Sequence, residues 1–484
     1  MAKKKKRKNA LTLIAMLGLL VVMLGAYGVL LQHNKELENI SDEEEEETQI
    51  PINEMEESEI KELRVQNESS EFTLMYKDEL WSLKEEEEFP VDQNVVSDLS
   101  SQMASLQATK EVIENAEDLS EYGLDTPEIT VTITKSDDSI MTLSIGDQLT
   151  TGDDYYATVN NGNTVYVVEA LVHNTFLKEK NDLMLIEELP SINTELITGV
   201  KVTSDQFSNF TLTYDEKNKE DYSGSSLYPW YISGYYNDNA NADLASVNEL
   251  LTNYTSLAFK EGVDYKKENL DQYGLKTPED ALTVWYREEE GGEVKDLTLY
   301  LGSQNEQGDY YVRMEGSNCT YTMASSVISN LFDVDVYSIT SKSTNLISID
   351  SITNFAVNTG SISHMYTVDQ ETSTDSDGKE TTTDIFAVDG VVYEDDTSFR
   401  SFYQNLIGLT VDGMLPEDAT VEGDPVLRIS WQLKEEKTNG EKAYTVEYLP
   451  YNSDSYAVRT NDKVLFIISK QKIDTAIQAI KDFE

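Results

Sequence analysis

Three histidines, one cysteine and 90 acidic residues supply most of the reactive side chains in this sequence. His33, His173 and His364 lie in three separate stretches, and no two share a motif. There is no H-E-x-x-H, which would set two zinc-binding imidazoles on one helix face. Nor is there the G-x-S-x-G turn that lifts a nucleophilic serine above a sheet. A histidine base needs a placed nucleophile, so each histidine is expected at the surface or with its hydrogen bonds met within the fold. Cys319, alone, rules out an internal disulfide framework and a multi-cysteine zinc site. It stands just before a predicted strand and reads as a small buried residue rather than a nucleophile.

Ser373 to Asp384 has the outline of a calcium loop, with Asp375, Asp377 and Gly378 near its third, fifth and sixth positions. Ser373 replaces the first carboxylate, however, and Asp384 stands where a bidentate Glu belongs. An Asp-Gly hairpin turn accounts for the same residues without metal. So many acids guarantee chance carboxylate pairs, which leaves no pair to single out for glycoside cleavage. Glu85 to Glu88 reads as a solvated loop. No cofactor and no metal are expected. The strongest surface candidate is aromatic: Tyr228, Trp230, Tyr231, Tyr235 and Tyr236 crowd into one short segment. Exposed, such rings stack on sugar faces or dock a protein partner. Laid out as a strand and turn, half of them would instead enter a core.

Charge narrows the partners. The chain carries 37 Lys+Arg against 90 Asp+Glu, a net −53, which excludes a general nucleic-acid binder because phosphates would be repelled. The cations cluster at the N-terminus, where Lys3 to Lys6, Arg7 and Lys8 precede an apolar run from Leu11 to Leu31. As a helix that run is about 31 Å long at 1.5 Å per residue, matching a hydrocarbon core of roughly 30 Å. It is long for a cleaved signal peptide, whose apolar region is about 7–15 residues, so it is expected to stay as an anchor. The flanking cations keep the N-terminus in the cytoplasm and place everything after His33 outside. The acidic stretch that follows, Asp42 to Glu47 at its centre, is expected to be an extended, unfolded spacer.

The exported part repeats itself. Glu121-Tyr122-Gly123-Leu124-Asp125-Thr126-Pro127-Glu128 returns as Gln272-Tyr273-Gly274-Leu275-Lys276-Thr277-Pro278-Glu279. Gly152-Asp153-Asp154-Tyr155-Tyr156 returns as Gly308-Asp309-Tyr310-Tyr311, and Leu80-Trp81-Ser82 as Pro229-Trp230-Tyr231. A third, diverged copy is expected from Asp454 to Arg459 and Val464 to Ile468, where Leu409 to Met414 replaces the Tyr-Gly-Leu element. Within a module, residues 62–66, 72–76 and 80–83 read as strands, 92–106 as an amphipathic helix, and 129–134, 140–145, 155–159 and 165–168 as further strands. A closing helix follows over 170–178, with its counterpart over 472–483 at the chain's end. Gly123 and Gly274 have a sufficient backbone reason to be there, ending a helix in a left-handed turn. The predicted class is α+β: an N-terminal transmembrane helix, then modules of mainly antiparallel sheet with two or three helices each. The predicted layout is a basic tail over 1–10, the transmembrane helix over 11–31, the acidic linker over 32–58, and modules over 59–190, 191–345 and 346–484.

These elements, in this order, resemble the bacterial envelope family called "domain of unknown function 4340". The resemblance rests on Tyr122 to Pro127, Ile129 to Thr134, Leu143 to Gly146, Gly152 to Tyr156 and Val165 to Val168, and on their second copies. It implies a single-pass protein with an exported body, working beside ABC-type transporter components of the gliding-motility kind, and it brings no established catalytic residues to carry over. The expected function is therefore a non-catalytic, membrane-anchored extracytoplasmic binding or scaffold protein. Its expected partners are the bilayer, transporter subunits and a cell-wall component. The alternative is an exported cell-wall or glycan hydrolase whose carboxylates the sequence does not reveal.

Overall fold

A computed structural model describes residues 49–218, 227–374, 380–416, 418–434 and 443–483. The predicted basic tail, the helix over 11–31, most of the acidic linker, His33, and Asp375, Asp377 and Gly378 lie outside the described residues. Among the described residues, no helix is long and apolar enough to cross a membrane.

The fold is α+β, with four sheets whose strand pairs run antiparallel. A two-stranded pair joins Ile50–Pro51 to Gln107–Ala108. Within residues 49–58 the backbone at Ile50 pairs, and Glu57 accepts hydrogen bonds from the hydroxyls of Ser100 and Ser101.

The eight-stranded first sheet is two meanders joined side by side. Ile60–Gln66, Glu71–Lys77 and Leu80–Leu83 form one; Ile129–Lys135, Ile140–Gln148, Tyr155–Val159 and Val165–Val168 form the other. Ile60–Gln66 lies against Ile129–Lys135 at the seam, and Lys110–Ile113 closes the far edge. Two nine-stranded sheets follow the same order, each gaining one short strand at the near edge. Their central pairs are Ile197–Thr203 with Asp280–Tyr286 and Ile352–Asn358 with Leu427–Leu433. A register shift recurs at the same place in all three seams, after Ile60, Ile197 and Ile352. Such a bulge bends the strand and is inherited with the fold. The chain divides after Leu185 into two compact units, the second containing both nine-stranded sheets.

Period-two alternation makes these strands. Ile129, Val131 and Ile133 are fully buried while the threonines between them face outward, half-buried. The crossing helix in each sheet starts on an aspartate whose side chain accepts a backbone N–H: Asp92 from Asn94, Asp243 from Ser246, Asp395 from Ser398. A carboxylate there satisfies a donor with no helical partner and complements the helix dipole. The first helix, Gln93–Ala104, buries Val96, Leu99 and Met103 against the sheet, each worth about 1.5–3 kcal/mol by transfer. Val95, beside that face, is half-buried. The closing helices are Ala170–Phe176, Ser325–Phe332 and Lys470–Asp482.

Candidate functional site

The repeated motif is a packing knot. In the first two sheets a 3-10 turn ends on Gly123 or Gly274, at φ 66° and 72°, a left-handed region open to glycine. The turn then lays its tyrosine carbonyl onto a second glycine in the sheet. The oxygen of Tyr122 fills the space where a Cβ on Gly146 would stand, and that of Tyr273 does the same at Gly302. The tyrosine rings pack on the double-tyrosine strand, Tyr122 at 5.0 Å from Tyr156 and Tyr273 at 4.8 Å from Tyr311. Burial pushes the Tyr273 phenol up to about 12, helped by the Asp264 carboxylate that accepts its hydrogen bond at 3.1 Å.

Register explains why the third sheet lacks the motif. Opposite the first residue of the central strand stand Ile145, Leu301 and Tyr448 in the three sheets. The next residue is Gly146, Gly302 and, in the third, Leu449, which is fully buried. The strand beyond offers Tyr156, Tyr311 and, in the third, Ala457. The ladder shifts register just past Gly146 and Gly302 but runs regularly through Leu449. The turn, its glycine seat and its ring partner are absent together, because none packs without the others.

The aromatic segment splits between core and surface. Trp230 is 4% exposed and packs edge-on against Tyr214 at 5.2 Å, the counterpart of Trp81 against Tyr76 at 5.0 Å in the first sheet. It therefore belongs to the core and is not available for contact. Tyr231 faces the other side of the strand, half-buried, and the Tyr228 carbonyl accepts the Asn218 amide at 2.7 Å. Tyr235 and Tyr236 leave the strand, and Tyr236 reaches the third sheet. The Tyr236 hydroxyl bonds that of Thr340 at 2.7 Å, and its ring meets Phe466 edge-on at 5.5 Å. Desolvation there pushes its phenol up to about 12. Tyr235 stands beside it, rings 5.0 Å apart and nearly perpendicular.

The connecting segment fixes this junction. Ser341 donates its N–H to Asn241 of the second sheet at 2.8 Å, and Val411 of the third donates to Lys342 at 2.9 Å. Between the two sheets lies a groove of about 630 Å³. Its first wall is the 235–237 loop; its second is made by residues 414–416, Ala419 and Val421 and by Val464 and Leu465. None of its ten described lining residues carries a charge, in a chain where 26% do. Next to the walls in sequence, Asp238 pairs with Lys463 at 3.3 Å and Asp412 with Lys472 at 2.6 Å. Tyr235 and Tyr236 belong to the aromatic segment that stands out in the sequence, and Met414 and Leu465 to its diverged third copy. No spacing signal joins positions some 230 apart.

The remaining candidates hold structural places. His173 is buried on its helix, stacked on Tyr155 at 3.8 Å, with its Nε2 3.2 Å from Glu128. Cys319 is half-buried, and burial pushes its thiol up. Asp384 lies within the strand Glu380–Val388, where it accepts the Gln370 amide at 2.9 Å and pairs with Arg400. Among the described residues no three His, Cys, Asp or Glu are grouped to hold a metal.

His364 donates to Asp389 at 2.7 Å, and the Met365 N–H does so at 2.9 Å. Those bonds, the backbone one foremost, hold the Asp389 carboxyl below its usual range. A lowered folded value means that this contribution is present above the unfolded pKa and is lost as pH falls through the folded one. The stability difference between the native chain and Asp389→Asn is therefore expected to shrink between about pH 5 and pH 3. Urea midpoints across that range test it; a constant difference would refute it.

The family whose sequence profile matches is described as "Domain of unknown function (DUF4340)", over residues 81–228 and 230–424. The matches begin at Trp81 and Trp230, inside a sheet, so the profile's repeat is out of step with the sheet repeat. No curated protein and no solved structure matches the chain.

Proposed function

Because the chain belongs to the DUF4340 family, whose function is unknown, we propose a function from its residues: a non-catalytic, membrane-anchored binding or scaffold protein. Residues 11–31 hold the bilayer, and the repeat modules work on the extracytoplasmic side as an accessory to an ABC-type envelope transporter. The observation that carries the reading is the uncharged groove between the second and third sheets. Among the described residues its lining has no carboxylate, histidine, cysteine or lysine, the groups that acid–base or nucleophilic chemistry needs. Its size and mostly apolar walls suit holding a ligand.

Crosslinking and pull-down of the full chain from native membranes tests this. Transporter subunits are expected in the eluate, with recovery reduced by Tyr235→Ala. Recovery of no transporter subunit removes that partner. A purified chain that cleaves wall glycan would overturn the non-catalytic reading in favour of the hydrolase.

A further inference from the structure

The groove's chemistry selects among ligands. We propose, resting on the binding reading above, that it holds one acyl chain of an amphiphile with an uncharged head group. Hydrocarbon lies along Met414, Leu415, Val421, Val464 and Leu465, and the head sits by Tyr235 and Asn237.

Three observations lead there. A volume near 630 Å³ falls within the roughly 300–1,000 Å³ of small-molecule sites. Among the described lining residues only three side chains are polar: the Tyr236 hydroxyl is engaged by Thr340 at 2.7 Å, which leaves the Tyr235 hydroxyl and the Asn237 amide. A sugar brings hydroxyls around its whole rim, and those facing apolar wall would lose water with no partner in return. A hydrocarbon chain asks for no partners. Charge disfavours anionic lipid, since among the described residues no cation lines the groove and the neighbouring Lys463 and Lys472 are paired with Asp238 and Asp412. The net −53 of the chain adds repulsion at longer range.

The test is photolabelling of the full chain in phosphatidylcholine vesicles with a diazirine-bearing dodecanoyl monoacylglycerol. Adducts are expected in peptides containing Tyr235–Asn237, Met414–Val421 or Val464–Leu465. Compared at equal free aqueous concentration, unlabelled monoacylglycerols should compete in order of chain length, by up to about fourfold per buried methylene. Ala419→Trp, which fills the groove, should cut labelling there about tenfold or more. The length series uses the native chain, so it decides the matter even if that variant does not fold. Absence of adducts in those peptides, or competition that ignores chain length, overturns the acyl assignment. If a diazirine-bearing disaccharide labels the same peptides instead, the acyl assignment fails and the binding reading stands. If neither probe labels them, the groove fails as a ligand site under both readings.

Discussion

Gly302→Ala is expected to destabilise the second sheet by about 3 kcal/mol, the upper end for overpacking a filled site. A Cβ there would come closer than 3.0 Å to the Tyr273 carbonyl oxygen, and that oxygen is backbone that no rotamer change can move aside. Relief requires the Tyr-Gly turn to lift from the strand, parting Tyr273 from Tyr311 and withdrawing Leu275 from a fully buried position. Gly146→Ala should act alike in the first sheet, where the Tyr122 carbonyl holds the same place. Gly413→Ala is the control, since its nearest neighbour is an Ile467 side-chain carbon at 3.4 Å, ordinary contact. Hydrogen exchange should show Lys295–Gln304 and Tyr310–Met314 losing protection in Gly302→Ala and keeping it in Gly413→Ala. A Gly302→Ala stability within about 0.5 kcal/mol of native would show that the two glycines are not one contact.

Phe399→Ala should cost about 3–5 kcal/mol in the third sheet. Phe399 is fully buried and stacks on Phe386 at 4.2 Å, with the rings of Phe355, Tyr366, Tyr393 and Phe483 about it. It is the fourth residue after the capping Asp395; the same step after Asp92 and Asp243 gives Val96 and Val247. A phenyl ring in place of a branched aliphatic leaves the larger void when truncated, and rings stacked on it cannot close the gap without parting from one another. Urea denaturation followed by hydrogen exchange should report the loss in Ser363–Thr374 and Glu380–Val388. A cost below about 2 kcal/mol would mean that this core closes up around the hole.

Both predictions bear on what could be read in advance. Tyr-Gly-Leu, the double tyrosine and the tryptophan were visible as a repeated order of residues, and alternation placed Ile129–Lys135, Tyr155–Val159 and Val165–Val168 nearly to the residue. Gly123 was readable as a turn because a left-handed backbone leaves a local mark. Gly146 was not, since what it accommodates is the carbonyl of a residue 24 positions earlier. Likewise nothing local says that Leu449 and Ala457 exclude the turn from the third sheet. The aromatic segment was marked as one cluster, yet strand alternation sends Trp230 inward and the reversal after Ser233 carries Tyr236 to another sheet.

Sequence alone determined the acidity, the apolar run near the N-terminus, the repeat and the α+β class, because each depends on composition or on neighbours a few positions apart. Tertiary structure decided which glycine receives the turn, which aromatic rings are buried, and that an uncharged groove opens between the second and third sheets. Those outcomes depend on contacts between residues far apart in the chain, and only pairing of the strands brings them together.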